Sequence, residues 1–132
     1  MKSSILLSQA DQSRLDAIIH RTASPPHPDP DQTLVLRELL SSARPPTAGE
    51  DVLQHVEFGD YATLISQVDP EDSYKFRVVM PSDADLDLDH ISVCTPVAAA
   101  VLGRSVGELV EWQAPIGLRR MRLIAVGKLA SS

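Results

Sequence analysis

The sequence predicts an α+β protein: a short antiparallel helical hairpin over residues 1–45, then a domain of antiparallel strands with one short helix over residues 46–132. Three observations lead there. Apolar residues recur at helical spacing in two segments near the N-terminus. Beyond a proline-bearing stretch the pattern turns to short alternating or continuous apolar runs. Between those runs one segment carries both a helix start and a helix stop signal. A chain of 132 residues, 43% of them hydrophobic, suits one ordinary core, or one core with a small appendage.

The first helix is expected at about residues 8 to 21. Ser8 can cap it, Asp11 stands three residues on as a capping-box partner, and Leu15, Ile18 and Ile19 form one stripe. Thr22 to Pro30 holds Pro25, Pro26, Pro28 and Pro30, which remove backbone donors and push each preceding residue away from helical angles, so a loop is expected. A second helix opens with Asp29 as N-cap, Pro30 at its first position and Gln32 at its third, continues through Leu36, Leu39 and Leu40, and ends before Pro45. Each helix is only about 18 Å long and marginal alone. The two are expected to zip together and lean on the rest.

Ala43 to Asp51, with Pro45, Pro46 and Gly49, is expected to be a linker. Strands are expected at Val52 to Phe58, Ala62 to Val68, Tyr74 to Met80, Leu109 to Gln113 and Leu118 to Val126, with turns at Gly59-Asp60, Asp69-Pro70 and Pro115-Ile116-Gly117. Their closeness in sequence implies antiparallel pairing. In Thr95 to Gly103, Thr95 can cap a helix, Pro96 suits its first position and Gly103 can terminate it.

Charge narrows the function classes. Twelve Lys and Arg against 18 Asp and Glu give a net charge of −6, which repels phosphates, so direct nucleic-acid binding is not expected. The single cysteine cannot form an internal disulfide, and the N-terminus lacks a signal-like apolar run, so a cytoplasmic location is expected. No apolar stretch approaches the ~18 to 20 residues of a membrane helix. The net charge favours a monomer.

The run Ile91-Ser92-Val93-Cys94-Thr95-Pro96, then Ala100-Val101-Leu102-Gly103, Val106-Gly107-Glu108 and Pro115-Ile116-Gly117, resembles the C-terminal domain of the Gre transcription-elongation factors. Met80-Pro81-Ser82-Asp83-Ala84-Asp85 falls where those factors carry an acidic turn, so the similarity covers most of residues 52 to 128. It implies an FKBP-like domain that docks on the rim of the RNA polymerase secondary channel, with a helical arm pointing into that channel. The arm here is much shorter than a Gre arm, and total length, arm and C-terminal motifs together resemble the Rnk family, regulators of nucleoside diphosphate kinase. The resemblance implies docking on polymerase without delivery of catalytic acids. The partner-binding segment it implies comprises Ile91, Ser92, Cys94, Thr95 and Pro96, where a capped helix start presents backbone donors. Ser92 and Thr95 have a purely local reading as well, as partners of nearby backbone groups.

Asp29 and Asp31 fall at the expected arm tip, where a Gre factor places the acidic pair that helps hold magnesium for transcript cleavage. An Asp before Pro at a helix start is already explained by capping and the helix dipole, each worth about 0.5 to 2 kcal/mol. Capping is the expected role. Asp83, Asp85, Asp87 and Asp89 would share one face of an extended segment. Counted as a calcium loop from Asp83, the sixth position is Leu88 rather than Gly and the twelfth Cys94 rather than Glu, so no metal is expected and a solvated acidic edge is.

Cys94 near His90 has the ingredients of a thiolate nucleophile, but no third group orients the imidazole, and packing is the expected role. His20, His27 and His55 lack paired ligand spacing and are expected on the surface or in loops. No phosphate-binding glycine loop is present, so no cofactor is expected; helix termination and a turn account for Gly103 and Gly107. Trp112 is expected to be core or half-buried in its strand.

The expected function is therefore a polymerase-binding regulator that is not itself an enzyme. Two other classes compete. A true cleavage factor would use Asp29 and Asp31. A peptide-binding module or prolyl isomerase would follow from an FKBP-like fold, but fold alone does not transfer function, and two Phe, two Tyr and one Trp are few for an apolar peptide pocket.

Overall fold

Helix α1 spans Gln9–Ile19 in the structure, a computed structural model that describes residues 5–47 and 55–128. Ser8 caps it as expected, its Oγ accepting from the Asp11 N–H at 3.2 Å. The return leg of the expected capping box is not made. Asp11 is 2% exposed, and its carboxylate turns away to accept from the backbone N–H of Phe58 and from Arg14. Leu15, Ile18 and Ile19 are buried, the stripe that the spacing predicts.

Helix α2 spans Pro30–Ser42 and has a complete capping box: Asp29 Oδ1 accepts from the Gln32 N–H at 2.8 Å, and Gln32 Oε1 from the Asp29 N–H at 3.1 Å. Of its apolar residues only Leu36 is fully buried, while Leu34 and Val35 stay exposed. The linker expected from Ala43 begins as a strand. Ala43–Arg44 (β2) pairs in parallel with Ile5–Leu6 (β1), because the returning chain meets the N-terminal residues there and both backbones gain partners. Residues 48–51 of the expected linker lie outside the described residues.

Five further strands form the main sheet: β3 (Tyr61–Ser66), β4 (Ser73–Val79), β5 (His90–Ser92), β6 (Leu109–Ala114) and β7 (Gly117–Gly127), in the order β5-β4-β3-β7-β6. Pairing is antiparallel except between β4 and β5, which is parallel. Three expectations are corrected. The strand expected over Val52 to Phe58 is, from His55 on, a single bridge to Ser105 followed by a turn; Asp60 accepts from the Glu57 N–H at 2.8 Å, and Gly59 takes φ +90°. Residues 52–54 lie outside the described residues. β5 was not expected, since three residues carry no periodicity and their pairing is provided by Arg77 to Val79. Asp83 to Asp89 is not extended: two 3₁₀ turns, Pro81–Asp83 and Leu86–Leu88, occupy it, the second capped by the Asp85 side chain.

Helix α3, Pro96–Val101, starts at Pro96 as expected, but the Thr95 hydroxyl does not cap it; it donates to the Ser92 carbonyl at 2.7 Å. Gly103 follows at φ +79°, its carbonyl accepting from the Leu6 N–H. One continuous buried cluster joins Leu7, Leu15, Ile18 and Leu36 of the hairpin region to Ala98 and Val101 of α3 and to Leu64, Phe76, Val110 and Leu123 of the sheet. His55 is a further correction. It is 1% exposed, and among the described residues neither ring nitrogen has a hydrogen-bond partner. Among the described residues no helix is long and apolar enough to cross a membrane.

Candidate functional site

The residues singled out in two distant stretches of sequence meet at one groove. Its volume is about 500 Å³, and α2 forms one wall from Asp31 to Ser42. Cys94, Pro96, Ala99 and Ala100 form the opposite wall, with Trp112 of β6 completing it. The lining is largely apolar, with Ile5, Leu36 and Leu39 deep and Val35 half exposed on the lip. Asp31, Glu38 and Glu111 make the rim acidic; its cation, Arg104, is drawn to Glu108 at 3.6 Å. Such a groove suits an apolar side chain flanked by basic groups.

The Ser92–Pro96 turn is held from within. Ser92 Oγ accepts from the Cys94 N–H at 3.0 Å, and the Ser92 carbonyl accepts from both the N–H and the hydroxyl of Thr95. Ser92 and Thr95 are thus committed to local backbone bonds, which fix the turn and leave Cys94 and Pro96 on the groove wall. Ile91 differs from its neighbours, being 6% exposed with its side chain in the core.

Burial pushes the Cys94 thiol above its ordinary range; the Ser92 hydrogen bond opposes this and the Asp29 carboxylate adds to it. Burial outweighs any lowering by the start of α3. His90 faces Tyr61, with Nε2 3.5 Å from the phenol oxygen. Asp31 and Gln32 line the same groove as Cys94 and Pro96, so the start of α2 lies beside the Cys94 turn. Asp29 is occupied by its capping box, and Asp31 stands on the groove rim. Among the described residues no three His, Cys, Asp or Glu side chains are grouped to hold a metal ion.

Sequence reasoning missed the part played by Trp112, Val35 and Leu39. Trp112 is half-buried with the Arg119 guanidinium 5.9 Å from its ring centre, on the groove wall. A helix with apolar residues at Leu34 and Val35, off its buried stripe, was the available signal.

A family model described as transcription elongation factor GreA/GreB, C-terminal, matches residues 51–128. The transcription elongation factor GreA of Thermotoga maritima is 32% identical over 96 residues, covering 69% of this chain and 57% of that protein. GreA of Hyphomonas neptunium is 38% identical over 71 residues, 54% of this chain and 45% of that one. The chain thus spans about half the length of these curated relatives. Among solved structures, a GreA/GreB factor from Nitrosomonas europaea superposes with a TM-score of 0.72 at 26% identity, covering 96% of this chain and all of that one. Gfh1 of Thermus aquaticus shares the fold, with a TM-score of 0.54 at 18% identity.

Proposed function

The chain belongs to the GreA/GreB transcription elongation factor family through its C-terminal domain, and from that premise we propose that it is a transcription regulator that binds RNA polymerase at the secondary-channel rim without promoting transcript cleavage. The observation that carries the second half is the arm. Helix α2 has 13 residues, about 20 Å, and lies along the groove, with Asp29 used in capping and Asp31 on the rim. Among the described residues no helix is longer than these 13 residues, so Asp29 and Asp31 are not carried on a long arm. In this reading the chain is of the Rnk type, a short-armed class within the family.

The polymerase contact is assigned to the Cys94–Pro96 turn and the groove beside it, with Ser92 and Thr95 as its internal braces and Ile91 anchoring it to the core. The arm is residues 1–45 and the docking domain residues 46–132. The protein acts as a monomer in the compartment of the polymerase.

The test is a pull-down of purified RNA polymerase by the full chain, with and without an excess of full-length Gre factor. Binding that the competitor displaces supports the rim site, and no binding at micromolar concentration sinks the proposal. Stalled elongation complexes given the protein and magnesium should keep their transcript lengths. Shortening that stops on Asp29→Asn would instead establish a cleavage factor.

A further inference from the structure

We propose that the face of the main sheet opposite the core, which borders the groove only at edge strand β6, is a second docking surface, and that it takes an acidic amphipathic helix of a protein partner. The strand registers put its residues together. Tyr61, Thr63 and Ile65 of β3 pair with Arg77, Lys75 and Ser73 of β4. Ile65 pairs on its other side with Arg122 of β7, which in turn pairs with Leu109 of β6. Arg120 pairs with Glu111, and Leu118 with Gln113. Paired residues point to one side of a sheet, and alternation sets this side opposite Ala62, Leu64, Phe76, Val78, Val110 and Met121, which are buried against α3 and the hairpin region.

This face therefore gathers Lys75, Arg77, Arg120 and Arg122, one third of the 12 cations of a chain whose net charge is −6. Its strand residues include one carboxylate, Glu111, which Arg120 Nε meets at 2.6 Å. Two guanidiniums are braced by backbone: Arg77 Nε donates to the Gly59 carbonyl at 2.8 Å and Arg122 Nη1 to that of Gly107 at 2.6 Å. Lys75 Nζ sits 5.5 Å from the centre of the Tyr61 ring. The cations are thus held in place, which reduces the ordering cost of binding. Leu109 and Leu118 are exposed among them, 42% and 63%.

That mixture selects the partner. Single-stranded nucleic acid is gripped by several open aromatic faces; the rings on this surface are Tyr61, already covered by Lys75, and His90, packed edge-on against Tyr61. A long polyphosphate also meets the repulsion of the whole acidic chain, whereas a short acidic segment responds to charges within a Debye length, about 8 Å at physiological salt. Leu109 and Leu118 call for aliphatic side chains between the carboxylates, which an amphipathic helix with Glu and Leu faces supplies.

The test uses the full chain and a labelled Glu/Leu amphipathic peptide of about 20 residues, read by fluorescence anisotropy. Micromolar binding that weakens with salt is expected. Lys75→Glu with Arg120→Glu should raise Kd at least about tenfold, roughly 1.4 kcal/mol, and a peptide of equal charge with its apolar stripe scrambled should bind more weakly to a similar degree. If the double variant lowers Tm, the milder Lys75→Gln with Arg120→Gln replaces it and should still weaken binding. No binding at about 100 µM, a Kd well above the micromolar range, or binding indifferent to these variants, overturns the proposal. Tighter binding of an RNA oligonucleotide than of the peptide overturns it too and makes the face a nucleic-acid surface.

Discussion

Asp11 Oδ2 accepts a hydrogen bond from the backbone N–H of Phe58 at 3.1 Å, joining α1 to the turn before β3 across 47 residues of sequence. The same carboxylate meets Arg14 Nη1 at 2.6 Å. It is a buried strap between the hairpin and the sheet. Its position also explains why the capping box that Ser8 and Asp11 suggest in sequence stays half-made.

Removing that strap has a cost that depends on the replacement. Asp11→Ala leaves the Phe58 N–H without its partner and should destabilise the chain by about 1 to 3 kcal/mol. Asp11→Asn keeps an acceptor oxygen without a buried charge and should cost about 1 kcal/mol or less. Urea unfolding of both variants checks the order; an Asn variant as weak as the Ala variant would show that the charge itself is what matters.

Burial is the largest influence on Asp11 and raises its pKa above the ordinary 3.8, against the Phe58 and Arg14 hydrogen bonds. With the folded pKa above the unfolded one, the folded chain holds the extra proton between them. The associated stability is complete below the ordinary carboxylate range and is lost as pH rises through the folded pKa. Comparing unfolding free energies from pH 4 upward, Asp11→Asn should gain on the parent chain as pH rises. A constant difference would refute the raised pKa.

Gly103 sits at φ +79°, and a Cβ there would press on Ile5 Cγ2 and lie 3.2 Å from the Leu6 backbone nitrogen. β1 passes too close for any side chain. Gly103→Ala should cost about 2 to 4 kcal/mol, through strain and displacement of β1, and lower Tm by roughly 10 °C. Thermal unfolding reads the effect directly, and an unchanged Tm would mean that β1 is not held against Gly103.

Lys128 Nζ donates to Asp60 Oδ2 at 2.5 Å, to the His55 carbonyl at 3.0 Å and to Glu57 Oε1 at 3.1 Å. Asp60 is 6% exposed, so Lys128→Met strands a buried carboxylate and should cost about 3 kcal/mol. Adding Asp60→Asn should restore part of the loss. A double-mutant cycle with no coupling would refute the pairing.

Cys94 should alkylate slowly, since its thiol is raised by burial and half covered. Iodoacetamide at pH 8 should modify it more slowly than it does glutathione. A faster rate would restore the thiolate-nucleophile reading.

Helix caps, helix stripes and four of the five main-sheet strands were legible in the sequence because each is written in neighbouring residues. Asp29, Pro30 and Gln32 close their capping box within four residues, and Leu15, Ile18 and Ile19 define one face of one helix. The motifs of residues 91 to 117 likewise disclosed the family. What failed locally was what depends on a distant partner. β5 exists because Arg77 to Val79 lie beside it, Asp11 abandons its cap for Phe58, and His55, expected on the surface or in a loop, is buried. Nor does spacing show that Asp31 and Cys94 share a groove, or that four scattered cations share a sheet face. Local hydrogen bonds and burial periodicity are encoded within a few residues; adjacency is decided by how helices and strands pack around a common core, and only the tertiary structure holds that information.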